Sequence, residues 1–148
     1  MYRHILIATD GSERASKGVQ HGLALAARLQ AQATVLTVSE PINTGFDDAL
    51  GWSAVATSLP DFQNARNEAA RQVLDAAAAE GAQAGVTPQL LHVADRYAAE
   101  TIVDTAERQG CDLIVMASHG RRALGRLLLG SQTSEVLARC GVPVLVIR

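Results

Sequence analysis

Five short apolar runs recur along the chain: His4–Thr9, Ala33–Val38, Thr87–Val93, Asp112–Ala117 and Val142–Ile147. Each is brief, rich in β-branched or aliphatic residues and bounded by turn formers, which predicts a buried β-strand. Pro88 and Pro143 stand near the starts of the third and fifth runs, where a missing N–H is tolerable. Between the runs the spacing of apolar residues changes to that of a helix. Ser12 is a good N-cap and Glu13 places negative charge in the first turn of a helix reaching about Gln30. Val19, Leu23, Ala26, Ala27 and Gln30 form its inward stripe, widened by Leu25 and Leu29. Residues 61–84 are alanine-rich with interspersed charge, a strong helix signal stopped by Gly85. Asp95–Gln109 predicts a helix with Ala98, Ile102, Val103 and Ala106 on one face and Gly110 as its stop. Ser131–Arg139 predicts the last, with Val136 and Leu137 inward and Gly141 as its C′ residue. Residues 40–60 hold two prolines and two glycines with Phe46 and Trp52, which predicts a long, partly mobile connection of the kind that serves as a lid or binding loop.

Strand and helix therefore alternate as βαβαβαβαβ. Apolar strands in that order form an open parallel sheet covered by helices on both faces, with right-handed crossovers. Ligands of such sheets sit outside the carboxyl ends of the strands, where the strand order reverses. If the first and fourth strands are neighbours there, Asp10 and the segment from Gly120 to Ser131 face one crevice.

Composition narrows the classes. A chain of 148 residues with 48% hydrophobic content suits one α/β domain, residues 1–148, with a real core. The formal charge of -2 and 3% aromatic content give no support for nucleic-acid binding by charge or base stacking. No run of 18 apolar residues occurs, and Met1-Tyr2-Arg3-His4 leads straight into a strand, so the expectation is a soluble, cytoplasmic protein off the membrane. Cys111 and Cys140 lack CxxC spacing and metal-like neighbours, which predicts free thiols and no metal site.

The chemistry concentrates in residues 115–134. An apolar strand passes through small polar residues to Gly120, and after nine intervening residues come Gly130 and Ser131 at the start of a helix. Glycines let backbone approach a phosphate, and a helix N-terminus offers it unpaired N–H groups. Arg121, Arg122 and Arg126 lie between the glycines, as phosphate partners or as a solvated basic surface; His119 adjoins Gly120. Asp10 is either a ligand residue or an Asx-turn residue closing its strand. The Gly120-x4-Gly125 spacing lacks the Lys-Ser/Thr of a P-loop, no GxGxxG follows the first strand, and no GxSxG elbow occurs.

Three segments, ILIATDGSERAS, the Gly-x9-Gly-Ser spacing inside MASHGRRALGRLLLGS, and the terminal VPVLVIR, together resemble the universal stress protein family over essentially the whole chain. The resemblance implies a Rossmann-like, adenine nucleotide alpha hydrolase-like five-stranded sheet of order 3-2-1-4-5. It also implies ATP binding and a homodimer made by antiparallel pairing of the last strand, residues 142–148. The family's motif is Gly-x2-Gly-x9-Gly-Ser/Thr; Ala117 replaces its first glycine. By resemblance, Ala8, Thr9 and Asp10 sit beside adenine and ribose, Val38 lines the base pocket through its backbone, and Met116 packs near base or ribose. Gly120, Gly130, Ser131 and Gln132 hold phosphates through backbone N–H groups, with Thr133, Ala117 and His119 adjoining.

Three functions remain open from sequence. The first is a regulatory module that binds ATP with Mg²⁺. The second is a dimeric interaction protein in which Ala117 marks loss of the nucleotide. The third is a slow ATPase, although no residue pattern supplies a base for rapid hydrolysis.

Overall fold

A computed structural model describes residues 1–41, 49–118 and 129–148, with 49–58 by backbone alone. The elements follow in the order β1 (His4–Ala8), α1 (Glu13–Leu29), β2 (Gln32–Ser39), α2 (Ala49–Ala84), β3 (Gln89–Ala94), α3 (Ala98–Gln109), β4 (Leu113–Ala117), α4 (Ser131–Arg139) and β5 (Val144–Ile147). All strand pairs are parallel and the order is β3-β2-β1-β4-β5. The reversal of order falls between β1 and β4.

Period-two alternation divides the core between the sheet's faces. Ile5, Ile7, Val35, Leu113 and Val115 point toward Val19, Leu23 and Ala26 of α1 and Leu74 and Ala77 of α2. Leu6, Ala8, Leu36, Ile114 and Met116 point toward Ala99, Ile102, Val103 and Ala106 of α3 and Val136 of α4. The helix α1 lies close because small residues face the sheet. A Cβ on Gly18 would stand 3.4 Å from the Ala117 nitrogen, and one on Gly22 would stand 2.7 Å from Ile7 Cγ1 and Cδ1.

The amino ends of the strands are tied together by polar groups. The Asp112 carboxylate accepts from the N–H groups of Arg3 and His4 at 2.8–3.0 Å. Burial opposes ionisation of Asp112, but these N–H groups outweigh it and hold the carboxyl below its ordinary range. His4 Nε2 contacts the Thr34 hydroxyl at 2.9 Å, and that hydroxyl donates to Gln109 Oε1 at 2.9 Å.

Several sequence expectations are corrected. The connection read over residues 40–60 ends early, because α2 already begins at Ala49 and carries Pro60 inside it. The proline forfeits one backbone donor within α2, and the alanine-rich run from Ala69 onward supplies the helix's propensity. Residues 42–48, including Phe46, lie outside the described residues. Leu137 is 43% exposed rather than inward; it is one position, a 100° rotation, beyond the fully buried Val136. Gln30 is exposed and closes α1 in the left-handed region at φ 52°, instead of extending the inward stripe. Gly141 is not left-handed, since α4 ends through an extended Cys140. The third helix starts at Ala98, after a turn at Asp95, and the fifth strand starts at Val144.

Candidate functional site

The reversal of strand order brings the carboxyl ends of β1 and β4 side by side, and both lead into turns at helix N-termini. After β1, the Thr9 N–H donates to Leu36 O at 2.9 Å and its hydroxyl accepts from the Gly11 N–H at 3.2 Å. Asp10 is half-buried; its Oδ1 accepts from the Ser12 N–H at 3.0 Å, which makes an Asx turn. Gly11 has φ +75°, a conformation that a side chain would strain. Ser12 then caps α1 by accepting from the Ala15 N–H at 3.2 Å. The turn reading of Asp10 is thus structural fact for one of its oxygens.

After β4 the backbone is pinned on both sides. Ser118 N–H donates to Ile147 O, and Gly130 N–H donates to Ser118 O, each at 2.8 Å. The second bond returns the chain to the strand end from which it left. The Thr133 hydroxyl, fully buried, donates to Ala117 O at 3.0 Å. These contacts seat the N-terminus of α4 against the end of β4. Gly130 is the N-cap of α4 and gives no side-chain cap, while Ser131 is exposed. The first N–H groups of this nine-residue helix carry the positive end of its dipole to the carboxyl end of β4.

Gln132 does something the sequence did not disclose. Its side chain reaches across to α3, where Oε1 accepts from the Ala99 N–H at 2.9 Å, and its Nε2 donates to Glu40 Oε1 at 3.4 Å. Tyr97, the N-cap of α3, supplies no side-chain cap, so Gln132 does that work from another helix. Its partners lie 33 and 92 positions away, with no pattern linking them. The Glu40 carbonyl in turn accepts from Arg66 of α2, which pairs with Asp95 at 3.2 Å. Gly18 was also unforeseen, although Ala15, Gly18, Gly22 and Ala26 fall at helical spacing and could have signalled a close approach.

Ala8 and Met116 are buried on the α3/α4 side beneath the crevice, and the half-buried Val38 packs against the same cluster. Ala117 ends β4 without a positive φ, so the position does not require glycine. Alternation along β4 puts its methyl group on the same side as Leu113 and Val115, over Gly18 of α1 and away from α4. His119, Gly120, Arg121, Arg122 and Arg126 lie outside the described residues. Among the described residues no group of three or more His, Cys, Asp or Glu side chains converges as a metal site, and no helix is long and apolar enough to cross a membrane. Burial pushes the Cys111 thiol up to about 11, reinforced by Asp112, so it stays protonated at neutral pH.

The sequence model of the universal stress protein family matches residues 1–148. The chain belongs to the universal stress protein family. A universal stress protein of Thermus aquaticus is 32% identical to it over the full length of both chains. The structure of protein MJ0577, a universal stress protein of Methanocaldococcus jannaschii, superposes with a TM-score of 0.81 at 29% identity, covering 99% of this chain and 96% of that one. A universal stress protein from Archaeoglobus fulgidus, solved in complex with dAMP, superposes with a TM-score of 0.69 at 17% identity, covering 99% and 98%. The order β3-β2-β1-β4-β5 is therefore that of a universal stress protein fold.

Proposed function

We propose that this universal stress protein is a regulatory module that binds ATP in the crevice between the carboxyl ends of β1 and β4. The observation that carries the reading is the N-terminus of α4: it is anchored to β4 through Gly130, Ser118 and Thr133, and its N-cap offers no side chain to the leading N–H groups. Such an end is built to receive an anion. Backbone N–H groups of Ser131 and Gln132, with the Ser131 hydroxyl, would hold phosphates, together with Gly120. Ala8, Val38 and Met116 would give the base an apolar floor. Thr9 and Asp10 would flank the ribose, with Asp10 taking a sugar hydroxyl or the Mg²⁺ that accompanies ATP. Because the side chains of Thr133 and Gln132 already have protein partners, their role toward phosphate would be confined to the backbone. The dAMP held by the Archaeoglobus fulgidus protein supports an adenine nucleotide for this fold.

Ala117 does not favour the nucleotide-free alternative. Its conformation is one that alanine adopts without cost, and its methyl group lies on the α1 side of the sheet. Equilibrium dialysis with radiolabelled ATP tests the reading. Saturable binding is expected, weakened severalfold in Ser131→Ala; absence of saturable binding at millimolar ATP overturns it.

The same reading includes a homodimer through β5. Val144–Ile147 is an edge strand of apolar residues, with Leu145 38% exposed. An uncovered apolar edge is a template for another chain, and antiparallel self-pairing closes it with two-fold symmetry. Light scattering should give the dimer mass for the native chain and the monomer mass for Leu145→Glu; a native monomer at micromolar concentration contradicts the dimer.

A further inference from the structure

The head of α4 is met by a carboxylate that the nucleotide reading leaves unused. Glu40 follows directly on β2, the strand beside β1, and its Oε1 accepts from Gln132 Nε2 at 3.4 Å. Gln132 is the second residue of α4. Its amide is held from the other side too, because its Oε1 takes the Ala99 N–H at the start of α3 at 2.9 Å. With the oxygen committed to α3, the amide nitrogen is turned toward Glu40.

Glu40 is also fixed through its backbone. Its carbonyl accepts from Arg66 Nη2, while Arg66 Nη1 donates to Asp95 at 3.2 Å. The Arg66 guanidinium is therefore committed to Asp95 and to the Glu40 main chain. Among the described residues no cationic side chain forms an ion pair with the Glu40 carboxylate. The residue is half-buried, so solvent and salt screen its charge less than they would on an open surface.

The consequence is electrostatic. The leading N–H groups of α4 attract an anion. A full negative charge one side-chain contact from the first turn cancels part of that attraction, in proportion to the charge of the anion. Free ATP meets this opposition in full. A divalent cation on the phosphates lowers the charge of the ligand and lifts most of it. We infer that Glu40 sets the charge preference of the site, favouring nucleotides whose phosphates carry a divalent cation over the free polyanion. The inference rests on the reading of this crevice as a nucleotide site.

The test is Glu40→Gln. It removes the charge and keeps an oxygen to accept from Gln132 Nε2, and the Arg66 contact survives because it is made to the backbone. Glu107→Gln makes the same change of net charge on an exposed residue at the opposite end of α3 from Ala99. Isothermal calorimetry on the full chain would compare AMP, ADP and ATP in EDTA with ATP in excess Mg²⁺. Glu40→Gln is expected to tighten free ATP about tenfold, ADP by less, and AMP and the Mg²⁺ complex of ATP by about twofold. These gains should shrink at high salt, and Glu107→Gln should match the native chain. Equal gains for the three free nucleotides, no gain, a gain indifferent to salt, or the same pattern in Glu107→Gln overturns this inference and leaves the nucleotide reading standing. Absence of binding of every nucleotide to both the native chain and Glu40→Gln overturns the two together.

Discussion

The two ends of the one parallel sheet use polar groups in opposite ways. At the amino ends of the strands, polar groups are turned toward one another: Asp112 takes the N–H groups of Arg3 and His4, and His4, Thr34 and Gln109 form a chain of contacts. At the carboxyl ends, side chains fix the backbone so that other groups face outward. Asp10 and Thr9 shape the β1–α1 turn, Thr133 pins α4 to β4, and the exposed Ser131 heads a helix whose glycine N-cap supplies no side chain. The two central strands, β1 and β4, are buried toward both ends, with Ile5, Ile7, Leu113 and Val115 all at 3% exposure or less. Hydrophobic burial therefore does not distinguish the proposed binding end from the structural end here. The satisfaction of backbone N–H groups does.

The comparison can be broken most sharply at Gly130. Its φ of -59° and ψ of 153° suit any residue, so Gly130→Val should fold with a stability change below about 1 kcal/mol. The added side chain would stand at the head of α4, and ATP affinity should fall about a hundredfold, equivalent to about 3 kcal/mol. Isothermal calorimetry and thermal unfolding together report both numbers.

The opposite outcome is expected at Asp112. Asp112→Ala removes the acceptor of the Arg3 and His4 N–H groups and should cost about 1–2 kcal/mol of stability while leaving ATP affinity unchanged. The effect should depend on pH. The Asp112 carboxyl is held below its ordinary range in the folded chain, so its contribution is fully present above the ordinary carboxylate range and disappears as pH falls through the lowered value. Chemical denaturation of the native chain and Asp112→Asn at pH 7 and in acid should show the gap between them closing in acid.

The smallest effect belongs to Ala117→Gly. Because the alanine has an ordinary φ and its methyl group faces α1, restoring the motif glycine should change ATP affinity by less than about threefold. Stability should fall by about 0.5–1 kcal/mol, the cost of glycine within a strand. A large gain in affinity would instead mean that the alanine had closed the crevice.

Much of this contrast was legible in the sequence, for identifiable reasons. The five strands announced themselves because a doubly covered parallel strand must be apolar on both faces, and the turn residues Asp10-Gly11-Ser12 and Gly85 stop or start elements through local chemistry. The start of α2 was not legible, since Gly51 and Pro60 carry the same local signal whether they break a helix or sit within one. Leu137 misled because a short helix shows too few turns to distinguish two adjacent apolar positions. Side-chain bridges such as Gln132 to Ala99 and Glu40 depend on the juxtaposition of three elements, which no local pattern encodes. The single signal missed at short range was the row of small residues Ala15, Gly18, Gly22 and Ala26, whose spacing marks the close approach of α1 to β4.

Amide chemical-shift mapping of the native protein with ATP and Mg²⁺ tests the central claim most directly, because it reads both ends of the sheet at once. Saturable shifts are predicted at Asp10, Gly130, Ser131 and Gln132, with Arg3, His4 and Asp112 unmoved. No saturable shifts at millimolar ATP, or shifts centred on the amino ends of the strands, would contradict the account.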